Sequence, residues 1–420
     1  MLFRSDYYPT KVIEKGNSET GIPLGILGLF PIDYSLFDWL RLIIRSPFGL
    51  LYLRGTTYLV VEMGVDDPYP PKNLGYLLTI VRPDIAVLLN AYPVHTMQFE
   101  KTLTDMEIKE TRCSLEKRTE LLTQKIAREK SKIITESGCR VWIFNNDNQN
   151  IKNEILKIKN SNQKLELFSF GNDSINNIYY QNYEVNLKGS RFSFISGNNN
   201  IEIKINNYLL PKEYREILAA GILVGKAVKL NDKQIIKSME KNFHLPKSRA
   251  SLLSGINNSI IIDSSYNASR AAVLAFLNMA YQIKIDYKKS LIFIFGDMRE
   301  LGEEAEVEHK RVLDKILQTV DYLYCVGELT KRFVIDKFKV ENEKLKVTVK
   351  SLKLKEVKWF KSSKDAGMYL RSHLPNNAIV LVKGSQNTIF LEETVKAILK
   401  NKKDIDKLCR QERFWLEKKG

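Results

Sequence analysis

Several short apolar, β-rich runs end in polar residues that a packed core does not require. In the N-terminal half, Tyr58 to Met63 (YLVVEM) carries Glu62, and Asp84 to Asn90 (DIAVLLN) carries Asn90, with His95 five residues on. A carboxylate and an imidazole on neighbouring strand ends can share a divalent cation that bridges a nucleotide phosphate and a substrate oxygen. Strand-end Glu and His residues are common, so the pair alone does not fix a metal. In the C-terminal half, the run IDSSYNAS carries Asp263, Tyr266 and Asn267, and LIFIFGDMRELGE carries Gly296 and Asp297. The last apolar run ends in Lys383, Gly384 and Ser385. Without further information Glu303 to Arg311 reads as a solvated helix face and Lys383 as an ordinary charged residue. Three polar strand ends on one sheet nevertheless make a cleft.

The elements that must position these residues follow from hydrophobic patterning. After the first two runs comes a long charged helical stretch, about Glu107 to Glu136, then two further strands, Arg140 to Asn145 and Glu166 to Gly171. Alternation from Tyr183 to Ile205 predicts β-hairpins turned at Lys188-Gly189 and at Gly197 to Asn200. Helices are expected over Tyr214 to Val228 and Asp232 to Phe243. From about Pro246 strands and helices alternate again, which argues for a doubly wound, mostly parallel sheet with ligands at the carboxyl ends of its strands.

A chain of 420 residues predicts two domains. Its net charge of +16 could suit an anionic partner, but the basic residues are spread along the chain and no basic stripe with interleaved aromatics occurs, so no nucleic acid is expected. Cys113, Cys139, Cys325 and Cys409 stand in no metal-ligand spacing and suggest reduced thiols in a cytoplasmic protein. The early apolar stretch Gly21 to Leu40 is too polar to span a bilayer, so no transmembrane segment is expected. Arg41, Arg45 and their apolar neighbours could touch a membrane surface, with a buried amphipathic helix the preferred reading.

The strings EMG, RPDIAVLLNAYPVH, IAREKSKI, KSR, DSSYNAS, FGDMRELGE with His309 following, and LVKGSQNTIFLE stand in one order from the first half of the chain to the last. In that order and spacing the chain resembles the Mur ligases. The resemblance implies a truncated central nucleotide-binding domain over 1–245 with a mostly parallel sheet, a C-terminal Rossmann-like α/β domain over 246–400, and a basic tail over 401–420. It implies ATP and Mg2+ as cofactors, with Glu62, His95 and Lys130 as metal ligands and catalytic residues. Lys130 matches a lysine that family members carbamylate, a reaction that needs the neutral amine and is favoured by burial; otherwise it would be a solvated helix residue. Asn90, Arg249, Asp263, Tyr266 and Asn267 fall at nucleotide-contacting positions, and Lys383, Gly384 and Ser385 where the C-terminal domain closes on substrate.

The implied reaction transfers the ATP γ-phosphate to a carboxylate. An amine attacks the acyl phosphate, and a tetrahedral intermediate collapses to an amide, here in peptidoglycan precursor synthesis by a monomer acting on small molecules. The family's phosphate loop is expected upstream of GNSETGIPL, but no GxxxxGK[S/T] run occurs in the sequence. Gly221 to Ala227 (GILVGKA) has the wrong spacing. A His-Asn pair of the family is replaced within Lys212 to Glu216, and its second Asp, second Asn and Pro near Tyr266 are matched by Ser264, Ser269 and Arg270. The expectation is therefore a ligase truncated at its start or inactive as written. The alternatives are an amide ligase of the folylpolyglutamate or cyanophycin type, or a non-catalytic binding paralogue.

Overall fold

The computed structural model describes residues 7–13, 16–93, 96–158, 165–299, 301–337, 354–385 and 388–419. The chain divides into two compact units: Met1–Asn182 with Phe192–Ile203 and Tyr214–His244, and Tyr183–Arg191 with Lys204–Glu213 and Leu245–Gly420.

In the first unit β1 (Thr10–Val12) pairs in parallel with β2 (Tyr58–Val60). A second sheet runs in the order β3 (Ile85–Leu88), β4 (Val141–Asn145), β5 (Glu166–Gly171), β6 (Ile178–Asn186), β7 (Gly189–Ser196), β8 (Asn199–Asn206). Its first four strands are parallel, with Ile85 opposite Val141, Val141 opposite Glu166 and Phe170 opposite Ile178. The last three are consecutive in sequence and neighbours in the sheet, as hairpins require. Gly197, at φ 58°, supplies the left-handed backbone that one of those tight turns needs. These hairpins lie where the alternation placed them.

Three helices of this unit matter below: α1 (Gly21–Ile26), α2 (Leu36–Gly49) and α3 (Leu115–Thr135). The helix expected from Glu107 to Glu136 is broken in two, because Ser114 leaves the helical region and accepts from the Lys117 N–H, starting α3 afresh. The preceding piece, Asp105–Thr111, has its own capping box between Thr104 and Glu107. α3 buries Ala127 and Ile134 against Ala86, Trp142 and Phe144, which fixes its face toward β3 and β4.

α2 departs from expectation more strongly. Its amphipathic period is real, but only Asp38, Leu42 and Gly49 are buried, whereas Leu36 and Phe37 are each 82% exposed. The covered side is the narrow one. Gly49 lies so close to Leu27 that a Cβ would come within 2.7 Å of it, and Tyr52 packs on Gly28 in the same way. The expected burial of the apolar face does not occur.

The second unit holds β9 (Ser251–Ser254), β10 (Ile260–Ser264), β11 (Leu291–Gly296), β12 (Tyr322–Val326), β13 (Glu356–Phe360) and β14 (Ile379–Lys383). They form one sheet in the order β13-β12-β11-β14-β10-β9, parallel except for β9. β10, β11 and β14 are near-continuous apolar runs because both faces are covered. Leu370, Val395 and Ile398 close one face against Ile261, Ile292 and Val380. The register sets Lys383 opposite both Ser264 and Phe295, so the polar ends of three parallel strands fall level. Among the described residues no helix is long and apolar enough to cross a membrane.

Candidate functional site

In the first unit the carboxyl ends of β3 and β4 open into a cleft of about 300 Å3 lined by Asn90, Tyr92, Asn145, Asp147, Asn148 and Glu216, among others. Asn90 is its hub. Its side-chain amide donates to Glu216 Oε2 at 2.5 Å, and its Oδ1 accepts from Asn145 at 3.0 Å and Asn148 at 3.4 Å. Asn145, the last residue of β4, reaches Asn90 because β3 and β4 are adjacent and parallel, and Asn148 follows in the turn just beyond that strand end. Glu216 arrives on α4 (Tyr214–Ala227), whose Leu218, Ala219, Ile222 and Leu223 are buried. Asp147 accepts from the backbone and side chain of Asn172, locking the next strand end.

Lys130 meets this hub from α3. Its Nζ donates to the Asn90 carbonyl at 2.9 Å, the side chain is half-buried, and burial lowers its pKa below the usual lysine range. It forms no ion pair with a carboxylate among the described residues. It is thus not the solvated helix lysine that its neighbours in sequence suggest; Lys132 takes that part, paired with Glu129 at 2.7 Å. Glu62 is exposed just beyond β2 and forms no ion pair with Lys130. His95 lies outside the described residues.

In the second unit the expected residues do come together. Lys383 is only 3% exposed, and its Nζ donates to Ser264 Oγ at 3.1 Å and the Asn267 carbonyl at 2.9 Å. Burial, reinforced by the charge of Arg249 and opposed by Asp263, lowers its pKa to about 7. Asp263 is fully buried; its Oδ1 accepts from the Ser265 N–H, while Oδ2 and the Ser265 hydroxyl find no partner among the described residues. Burial raises the Asp263 pKa. Ser385 Oγ accepts from Arg299 N at 2.9 Å, and its own N–H donates to the Asp297 carbonyl. Gly384 approaches Gly296 so closely that a Cβ would meet the Gly296 Cα at 2.9 Å. Neither strand end has room for a side chain there. Toward solvent stand Arg249, with its guanidinium 4.5 Å over the Tyr266 ring, and the exposed Asn267 and Arg299.

Two sequence-based expectations for the second unit are corrected here. Lys383 is no ordinary solvated strand-end charge. The segment Glu303 to Arg311 is not simply a solvated face either: on α5 (Ala305–Thr319), His309 is fully buried, bonded to the Met298 N–H and the Ala305 carbonyl, and burial lowers its pKa. Glu308 is buried too, paired with Arg270 at 2.9 Å and Arg311 at 3.2 Å.

Sequence reasoning missed other members of both sites. Asn145, Asp147 and Asn148 were legible as a polar run directly after a buried strand. Arg410 carried no such signal: it donates to the Ser265 and Tyr266 carbonyls from 145 and 144 residues away, held by a buried ion pair with Glu392.

Residues 248–386 match the family model described as Mur ligase, glutamate ligase domain. A UDP-N-acetylmuramoyl-tripeptide–D-alanyl-D-alanine ligase of Borreliella burgdorferi is 27% identical over 295 residues, covering 68% of this chain and 54% of that protein. One of the same name from Buchnera aphidicola subsp. Baizongia pistaciae is 25% identical over 306 residues, 72% of this chain and 58% of that protein. The chain therefore spans little more than half the length of these relatives. In fold it is similar to a MurF ligase from Thermotoga maritima crystallised with ADP, at a TM-score of 0.63 and 17% identity, over 86% of this chain and 72% of that one.

Proposed function

We propose that this chain, whose residues 248–386 match the Mur ligase glutamate ligase domain, is a member of the Mur ligase family and takes part in ATP-dependent amide-bond formation on a peptidoglycan precursor. Its substrates would be those named for its relatives, a UDP-N-acetylmuramoyl tripeptide and D-alanyl-D-alanine. The observation that carries this reading is the level convergence of three parallel strand ends in the second unit, with Arg249, Tyr266 and Asn267 turned outward over a buried Asp263 and Lys383. A guanidinium stacked on an aromatic ring suits an anionic nucleotide, offering charge to phosphate and a flat face to a base or ribose. Lys383, buried and bonded to the 264–267 loop, acts as a positioning residue for that loop.

The first unit supplies the residues suited to a metal. Among the described residues no three His, Cys, Asp or Glu side chains gather to cage an ion. Magnesium does not require such a cage, since it keeps waters and is commonly held by one or two carboxylates plus substrate phosphates. Glu62 is a hard oxygen donor of that kind. Lys130 as an amine is not, but burial, which lowers its pKa, and the lack of a carboxylate partner among the described residues favour carbamylation, which would convert it to an oxygen donor. When bound, the ion would neutralise charge developing on phosphoryl oxygens.

The sequence carries no GxxxxGK[S/T] run, and that favours a second reading in which this polypeptide binds nucleotide or precursor without turning ATP over. Titration with ADP, followed by calorimetry, addresses the site both readings share. Arg249→Ala and Asn267→Ala are each expected to weaken ADP binding by about tenfold, in line with loss of one charged or hydrogen-bonding contact. Unchanged ADP affinity in both variants would remove the nucleotide assignment from the second unit.

A further inference from the structure

α2 presents a ridge of large apolar side chains to solvent. Leu36, Phe37, Leu40, Ile43, Ile44 and Phe48 recur at offsets of 1, 4, 7, 8 and 12 residues, one helical face, and each is at least 53% exposed. Patches of that continuity on a soluble surface mark a site of interaction. The ridge is held out by design of the local fold. Asp38 accepts the N–H groups of Ile32, Asp33 and Tyr34 and is neutralised by Arg41, so the preceding loop is pinned to the helix with Ile32 and Tyr34 extending the same apolar surface. At the other end Gly49 and Tyr52 pack down on Leu27 and Gly28, leaving Leu50 and Leu51 outward.

We infer that this ridge seats in the interface of an anionic lipid bilayer, with α2 lying in the membrane plane. Three observations favour lipid over another occupant. Leu36 and Phe37 are each 82% exposed and the rest of the ridge more than half exposed, so these side chains reach into the surroundings where a fluid apolar layer can enclose them. The rim is aromatic, with Tyr34 and Tyr52 at the two ends and Trp39 on one flank, the residue types that favour the headgroup level. The charges are cationic: Arg45 and Arg54 are exposed and pair with no carboxylate among the described residues, Lys11 sits 3.6 Å over the Tyr52 ring, and of the two acids in the ridge segment Asp38 is already neutralised, leaving Asp33. A helix with an apolar face flanked by basic residues binds at such an interface without crossing it. This inference is independent of the ligase reading.

The test uses the full chain and co-sedimentation with vesicles of phosphatidylcholine alone or mixed with phosphatidylglycerol, at physiological salt. Binding is expected to the mixed vesicles, with partitioning at least about tenfold weaker to phosphatidylcholine alone. The triple variant Phe37→Ser, Ile44→Ser, Phe48→Ser, whose side chains are exposed and whose fold is checked by circular dichroism, is expected to lose binding. Arg45→Glu with Arg54→Glu is expected to abolish the preference for anionic lipid. No binding to mixed vesicles, or binding that the triple variant retains, overturns the inference. So does a dimer by sedimentation velocity that the triple variant dissolves, in a chain that ignores vesicles.

Discussion

A lysine ammonium at the end of a parallel strand, shut from solvent, is costly unless it can shed its proton, and Lys383 is such a group. Its pKa falls from 10.5 to about 7, first through burial and then through Arg249. Between those two values the unfolded chain carries a proton that the native chain does not. Native stability therefore rises as pH goes from about 7 toward 10.5 and is flat with respect to this group outside that window. The full span is on the order of 5 kcal/mol. Lys383→Met keeps the length and removes the titration, so urea unfolding at pH 7, 8.5 and 10 is expected to show a shallower rise for the variant. Equal slopes would show that the ammonium is not buried in solution. Lys130 poses a different question, since its burial is partial and its bond is to a carbonyl. If it carries a carbamate, Lys130→Ala in a preparation that shows ligase turnover lowers the rate about 10- to 100-fold, as loss of a metal-site ligand does, and small carboxylates restore part of it. Stability should change by no more than about 1 kcal/mol. Near-normal turnover would leave Lys130 as a clamp on the Asn90 strand end and nothing more.

Elements in this protein are tied at their ends by residues remote in sequence, and that decides how much could be read beforehand. Most of the longer strands and the hairpins were legible, because alternation and apolar runs are local signals, whereas the short or mixed strands β1, β9 and β13 were not. The face that α2 hides was not: periodicity shows that a helix has two faces, but coverage depends on what packs there, and here glycines at 28 and 49 seat the narrow side. The 264–268 loop is a similar case. Its own residues predicted a polar strand end, yet its backbone is held by Arg410, whose guanidinium is bonded to Glu392 with both side chains buried. Lys419 reaches the same carboxylate at 2.9 Å. Removing one partner of a buried pair leaves a charge uncompensated, at about 3 to 5 kcal/mol when no other cation is near. With Lys419 still in place, Arg410→Ala is expected to cost about 2 to 4 kcal/mol in urea unfolding and to speed amide exchange at Ser265 to Ala268. Arg410→Lys should not restore slow exchange, since one ammonium cannot span both carbonyls and the carboxylate. Unchanged exchange in Arg410→Ala would show that the loop holds its own shape.

At the scale of the whole molecule, two sheets with parallel strand ends each gather polar residues, as βα alternation requires. The order of motifs along the chain pointed to the strand ends of the second unit, whereas in the first unit it pointed to Asn90 and Lys130 but not to Asn145, Asp147, Asn148 or Glu216 beside them. One motif expected for phosphate binding does not occur in these 420 residues. ATP phosphates in a strand–loop–helix site are cradled by successive backbone N–H groups and a lysine, and the sequence offers GxxxxGK[S/T] nowhere; GILVGKA lies within α4, where the N–H groups are committed to the helix. If the second unit's Arg249 and Asn267 engage a nucleotide as proposed, binding at one end of ATP still does not position its γ-phosphate for transfer. The purified 420-residue polypeptide, given ATP, Mg2+, a UDP-N-acetylmuramoyl tripeptide and D-alanyl-D-alanine, is therefore expected to release ADP at least about a hundredfold more slowly than a ligase with an intact phosphate cradle, since loss of even one preorganised donor costs that much. ADP binding should persist in the same preparation. Mass spectrometry of the precursor reads the outcome directly, because amide formation adds the dipeptide mass. Robust ATP-dependent appearance of that product would mean that another set of backbone amides in this chain does the work of the loop.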